Sequence, residues 1–278
     1  MKILTLNTHS LVEDNYENKL MQFVEMMLKE MPDIVALQEV NQSMAKAEVL
    51  ELSATGYVAC KGCEVIVRED NHAYRIAKML KEEGIVYQWT WIPAKMGYGI
   101  YDEGLALFCR KRIENIHQFY FSKSTDYDNW KIRRSIGICI ENTWFYSVHM
   151  GWWEDKEEPF AAQWDTIEDK LLNKSQLCYL MGDFNSPAHK KAEGYDYIIQ
   201  HGWVDTWDVA KRKDTGVTVG GVIDGWDDKM DTKEEERGIR IDYIFCNQEI
   251  PIKSSEVVFN GKKYPVISDH YGVMIETE

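Results

Sequence analysis

Basic residues are scarce in this chain. Against 46 Asp and Glu stand 32 Lys and Arg, a net charge of -14, so no bulk positive field exists to condense onto nucleic acid or an anionic membrane. That balance still permits a locally basic site. Long apolar runs are lacking too: no stretch approaches the ~20 residues of a membrane span. The first residues, Met1-Lys2-Ile3-Leu4-Thr5-Leu6-Asn7, have none of the charged, apolar and small-residue regions of a signal peptide. The expectation is a soluble, cytoplasmic protein with no membrane contact. Pro/Gly/Ser linkers and internal repeats are missing as well, which favours one domain over 1–278. Among the six cysteines, four sit inside apolar runs, where a thiol behaves as a small core hydrophobe. Cys60 and Cys63 form a C-x-x-C without the second pair that a structural zinc needs.

What is present is an ordinary globular composition, 45% hydrophobic and 28% charged over 278 residues, enough to bury a sizeable core. Asp14 with Glu17 reads as a capping box ahead of Leu20, Phe23, Val24, Met27, Leu28 and Met31 at helical spacing, and Pro32 stops that helix. Tyr74, Ala77 and Leu80 make a second stripe, and Phe160, Trp164, Ile167, Leu171 and Leu172 a third. Between them lie runs rich in β-branched and aromatic residues at 34–37, 86–92, 104–109, 136–140, 143–149, 176–182, 241–246 and 271–275. Many strands and few helices predict an α/β sandwich. Segment 208–240 reads as a long surface excursion, a kind of loop that is usually functional or disordered.

Several apolar runs end in polar residues that folding alone does not require. These are Asn7, Gln38-Glu39, His149, Asp183-Phe184-Asn185, Asp242 and Ser268-Asp269-His270. Strand ends place side chains on the rim of a sheet, so aligned strands would gather these groups in one crevice. Such a carboxylate cluster repels itself unless a hard cation sits within it, and an oxygen-rich donor set favours Mg²⁺ or Mn²⁺ over Zn²⁺. Metal-assisted phosphoester hydrolysis is the chemistry that suits this set. Taken singly, each residue has a structural reading: Asn7 as a turn cap, Asp183-Phe184-Asn185 as an Asx turn, Asp242 as a surface partner of Arg240.

Taken in order, LNTHS at 6–10, LQEV at 37–40, SVHM at 147–150, GDFN at 182–185, RIDYIF at 240–245 and SDH at 268–270 resemble the endonuclease/exonuclease/phosphatase superfamily. Its members include pancreatic deoxyribonuclease, apurinic endonucleases, neutral sphingomyelinases and inositol polyphosphate 5-phosphatases. The resemblance implies a four-layer αββα sandwich of two packed mixed sheets flanked by helices. It makes Glu39 the main metal ligand, with Asn7 and Asp269 beside it. Asp183 and Asn185 would handle the attacking water and the phosphoryl oxygens. His270 would face the phosphate, oriented by Asp242, and His149 would be the second imidazole there, with Glu103 as its partner. Either Arg133 or Arg134 would contact phosphate. Asn71 through Arg110, HMGWW and GGVIDGW further resemble the bacterial cytoplasmic branch that contains maltose 6'-phosphate phosphatases.

Three substrate classes follow: a small sugar phosphate, a nucleic acid and a phospholipid. A nuclease wants rows of Lys and Arg that track phosphates, and the dense cluster Lys211-Arg212-Lys213 is followed by the acidic 224–236 stretch. The expected partner is therefore a small phosphorylated molecule, and no segment calls for a protein partner. Trp152 and Trp153 would wall or stack on the sugar, Asn71 would approach it, and Asp224 and Trp226 of the excursion would close over it.

Overall fold

The protein is described here by a computed structural model, which covers residues 1–278 apart from 64, 174, 222, 224, 225, 227–229, 231 and the side chain of 235. The apolar runs form strands: β1 (Lys2–Asn7), β2 (Ile34–Ser43), β3 (Gln88–Gly97), β4 (Tyr101–Cys109), β5 (Asn115–Tyr120), β6 (Arg134–Ile140), β7 (Thr143–His149), β8 (Cys178–Asp183), β9 (Val204–Asp205), β10 (Arg212–Lys213), β11 (Asp242–Cys246), β12 (Ile252–Val258) and β13 (Gly272–Thr277). One sheet has the order β10-β12-β13-β1-β2-β4-β3 and the other β5-β6-β7-β8-β11-β9. Both are mixed, with β1–β2 and β7–β8 parallel and β2–β4 and β8–β11 antiparallel.

The inner faces of the sheets meet. Ile34, Ala36, Leu105 and Leu107 of the first bury against Ile136, Ile138, Phe145 and Met181 of the second, every other residue facing inward as the strand period requires. On the outside of the first sheet, α1 (Tyr16–Glu30) and α2 (His72–Glu82) seat Leu20, Phe23, Ile76 and Leu80 on Leu4, Leu37 and Phe108. On the outside of the second, α3 (Phe160–Lys170) and α4 (Gly194–Gln200) seat Phe160, Trp164 and Ile198 on Tyr146, Leu180 and Phe245. The architecture is the four-layer αββα sandwich. Among the described residues, no helix is long and apolar enough to cross a membrane, and the six cysteines are free thiols.

Two local expectations need correction, the start of α1 and segment 208–240. The capping box of Asp14 and Glu17 does not form: Asn15 is the N-cap, in a left-handed conformation with no side-chain cap, and Glu17 instead bonds Arg75 with both oxygens. Trp89 and Trp91 lie in the core, where their indole nitrogens donate to Thr55 O and Val40 O. Segment 208–240 is more than a surface excursion. After α5 (Thr206–Val209), β10 pairs with β12, and Val219, Ile223, Trp226, Met230, Ile239 and Ile241 bury together ahead of and behind α6 (Thr232–Arg237). The segment carries enough apolar residues to build its own small core, and it forms a packed flap.

Asn71 is a helix cap rather than a substrate contact. Its side chain accepts from the Tyr74 N–H at 3.0 Å and donates to Gln42 Oε1 at 3.0 Å, the standard use of Asn before a first helical turn. The next residue, His72, is buried with Nδ1 2.9 Å from Tyr16 Oη; burial, with help from Arg75, lowers its pKa to about 3. Between pH 6.5 and about 3 the unfolded chain binds a proton at this position that the folded chain does not. The stability this residue contributes is therefore complete above pH 6.5 and lost as pH falls toward 3, by up to about 1.4 kcal/mol per pH unit. Urea midpoints measured at pH 7 and pH 5 should fall less steeply in His72→Phe than in the wild type.

Candidate active site

His149, Asp183 and Asp242 stand in a row because their strands are neighbours. His149 is the register partner of Asp183 across the parallel β7–β8 pair, and Asp183 that of Asp242 across the antiparallel β8–β11 pair. The residue before Asp183 must be glycine: at Gly182, with φ +149°, a Cβ would lie 1.9 Å from Val148 O. From the first sheet come Asn7, at the end of β1, and Glu39. Leu37 pairs with Ala106 and Val40 with Gly104, so Gln38 and Glu39 together oppose one residue of β4 in a β-bulge. Glu39 takes φ +52° there, a conformation that costs a non-glycine residue of order 1 kcal/mol. The bulge sends the two side chains different ways. Gln38 Nε2 reaches between the sheets to Ser147 Oγ at 2.8 Å, whereas Glu39 Oε1 accepts from Asn7 Nδ2 at 2.9 Å. Asn7 Nδ2 also lies 3.3 Å from Asp183 Oδ2, so one amide joins the two sheets at the site.

The loop before β13 completes the cluster. Ser268 Oγ donates to Asn7 O at 2.8 Å, and His270 Nδ1 lies 3.0 and 3.2 Å from the two oxygens of buried Asp242. Its other nitrogen, Nε2, is 3.8 Å from Asp183 Oδ2, and His149 Nε2 is 3.6 Å from the same oxygen. One carboxylate oxygen is thus shared between two imidazoles of opposite character. Burial disfavours charge on His270, but Asp242 and Asp183 outweigh it and hold the ring's pKa well above the ordinary value. Burial also disfavours charge on His149, and Arg133, Lys95 and His270 add to that, so its pKa falls well below. Burial, followed by the Glu103 and Asp269 carboxylates, pushes Glu39 up.

Glu39, His149, Asp183, Asp269 and His270 line a cavity of about 300 Å³, with Asn7 and Asp242 behind them. Arg133 is on its wall with 4% exposure; Nη1 donates to Trp130 O and Ile132 O at 3.1 Å each, and Nε has no hydrogen-bond partner among the described residues. A guanidinium on the wall of a polar cavity is suited to an anion. Arg134 points the opposite way, as strand alternation dictates. Its guanidinium bonds Gln118 Oε1, Pro93 O and Cys63 Sγ and lies over the Tyr120 ring. Glu103 is on the cavity wall, but its ion pair is with Lys95, 3.1 Å away and its register partner on β3, rather than with His149.

Asn185, at φ +47°, donates from its backbone to Asp183 Oδ1 at 2.8 Å, and its side chain also lines the cavity. Trp152 and Trp226 are on the wall, whereas Trp153 turns away onto Phe160 and Tyr197. Asp224 lies outside the described residues. Among the wall residues that the sequence did not mark as part of the site are His9, Lys95, Tyr98 and Trp130. His9 was legible only by its place two residues past Asn7. Its Nδ1 is 2.9 Å from Glu13 Oε1 and 3.9 Å from Asp269 Oδ1; burial works against its charge, but Glu13, Asp269 and Glu39 push its pKa up to about 9. The remaining histidines are structural, His117 beside Tyr146, His189 beside Glu234 and His201 beside Glu168.

Comparison with known proteins agrees with this fold. A protein from Leptotrichia buccalis described as an endonuclease/exonuclease/phosphatase family protein is 32% identical, covers 100% of this chain and 99% of its own, and superposes with a TM-score of 0.87. At 16% identity, a mannosyl-6-phosphatase from Bacteroides thetaiotaomicron shares the fold with a TM-score of 0.65, covering 100% of this chain and 99% of its own. A 3'-5' exonuclease from Neisseria meningitidis, at 18% identity and TM-score 0.63, covers both chains fully. No curated protein matches the chain. The model of the Endonuclease/Exonuclease/phosphatase family matches residues 4–270, nearly the whole chain, and the protein belongs to that family.

Proposed function

We propose that this family phosphoesterase is a divalent-metal-dependent phosphomonoesterase acting on a small, soluble phosphorylated sugar. The observation that carries the reading is the shape and lining of the cavity. Arg133, His149 and His270 line it together with the aromatic rings of Trp130 and Trp152, in about 300 Å³. Among the described residues lining it, the only lysine and arginine are Lys95 and Arg133, and Lys95 is paired with Glu103. A continuous nucleic acid needs a longer cationic track. The fold shared with a protein described as a mannosyl-6-phosphatase is compatible with this choice, and the fold shared with an exonuclease marks the competing one.

The donor set fits a hard cation. Glu39, Asn7 and Asp269 offer oxygens, and the crowding of Glu39 by Glu103 and Asp269 is what a divalent ion relieves; oxygen donors of this kind select Mg²⁺, with Mn²⁺ the other candidate. When bound, such an ion polarises a phosphoryl oxygen and offsets the charge of the transition state. The chain's own residues do the rest. Arg133, on the cavity wall, and Asn185 hold phosphoryl oxygens. Asp183, 3.6 and 3.8 Å from the two imidazoles, positions the attacking water. His270 faces the phosphate through Nε2 because Nδ1 is taken by Asp242. His149 stands on the other side of Asp183 as the second phosphate-facing ring.

The test is a matched comparison under Mg²⁺ of hexose and disaccharide phosphates, an aryl phosphate, plasmid DNA and sphingomyelin vesicles. A sugar phosphate should give a kcat/KM at least ~10-fold above any other substrate, and Trp130→Ala, which removes an aromatic wall, should raise KM for it by roughly 10-fold. Plasmid nicking that is lost in Glu39→Gln and unmatched by any sugar phosphate would replace this reading with the nuclease.

A further inference from the structure

Asn185 ends in an amide whose oxygen and nitrogen are nearly the same size, so the end that faces a substrate is decided by its neighbours. Two neighbours decide it here. Trp226 Nε1 donates to Asn185 Oδ1 at 2.9 Å, and Asn185 Nδ2 donates to Met150 O at 2.9 Å. An indole N–H can only donate and a backbone carbonyl can only accept. A flipped amide would oppose N–H to N–H at one contact and oxygen to oxygen at the other, with no water to soften either, since Asn185 is 5% and Trp226 2% exposed. One orientation remains. It uses the amide oxygen and one N–H in protein contacts, leaving the second N–H for the cavity that Asn185 lines.

We propose that Trp226 is a positioning residue, whose indole N–H locks Asn185 so that an N–H and not a carbonyl oxygen meets the phosphoryl group. This rests on the assignment of Asn185 to the phosphoryl oxygens made above. It also reassigns Trp226. From the sequence, this residue was expected to close over the sugar; in the fold its ring is buried with Val219, Ile239 and Ile241 in the core of the flap. Through this hydrogen bond the packing of the flap sets the orientation of a group on β8's exit loop, 41 residues away in sequence.

The two roles for Trp226 separate in steady-state kinetics. Trp226→Phe keeps a ring in the flap core and deletes the N–H. If Trp226 positions Asn185, kcat falls about 10-fold on an aryl phosphate and on a sugar phosphate alike, with KM changed less than about twofold, because the lost contact acts on the phosphoryl group common to both. Asn185→Ala is slowed at least as much, and the double variant is no slower than Asn185→Ala. Val219→Ala, which loosens the same core without touching the N–H, keeps the wild-type kcat. An unchanged kcat in Trp226→Phe, a loss confined to KM for the sugar, or an equal slowing in Val219→Ala would each overturn the inference while leaving the proposed function standing. Full activity in Asn185→Ala would remove Asn185 from phosphate contact and the inference with it.

Discussion

Glu39→Gln should lower phosphate release by at least ~10³-fold while leaving the protein folded and, without added metal, no less stable to heat. The two halves of this expectation have one cause. Glu39 is held at φ +52° among carboxylates that, together with its burial, disfavour its charge. A group kept under those conditions contributes something other than stability. Glutamine preserves the acceptor for Asn7 Nδ2, 2.9 Å away in the wild type, and removes the charge. A loss of ~10³ in rate corresponds to ~4 kcal/mol of transition-state stabilisation, within reach of a misplaced divalent ion. Phosphate release with and without EDTA, beside thermal melts of both proteins, decides the matter. Turnover that survives both the chelator and the substitution would disprove the cation site at Glu39.

The second large effect belongs to Asp242 and His270 acting as a unit. Both carboxylate oxygens of Asp242 lie within 3.2 Å of His270 Nδ1, and Asp242 is 1% exposed. The pair therefore holds the ring's tautomer and direction, leaving Nε2 toward Asp183. Asp242→Asn leaves an amide that can offer Nδ1 an N–H and so select the wrong tautomer, while His270→Ala deletes the ring. Each change should cost kcat at least ~10²-fold, and the double variant little more than the worse single. Losses that multiply would show that the two residues work separately.

The site's second-sheet row was legible because apolar strand runs announce their own ends. His149, Asp183 and Asp242 each sit where such a run leaves the sheet, and neighbouring strands then bring them into one line. Other positions depended on information that strand and helix periods do not hold. Alternation requires Arg133 and Arg134 to face opposite ways without saying which faces the cavity. Asn71 carries the same signature as a substrate contact or a helix cap, and only the helix start at His72 separates them. Lys95, Tyr98 and Trp130 belong to the wall through how their segments fold back on it, and their local sequence has no chemical pattern. The flap was misread because its apolar residues are spread thinly from Val219 to Ile241 and become a core only once they meet.

The extra residue in β2 limits how this pocket can change. Removing one residue between Leu37 and Val40 would give β2 and β4 an unbroken ladder, relieve the left-handed step at Glu39 and make the sheet more regular. The same edit would merge two jobs that the bulge keeps apart, the tie of Gln38 to Ser147 between the sheets and the reach of Glu39 to Asn7 at the rim. A single side chain cannot point both inward and outward. For this fold, ladder regularity and a working carboxylate are alternatives, so the length of β2 is closed to variation at this spot.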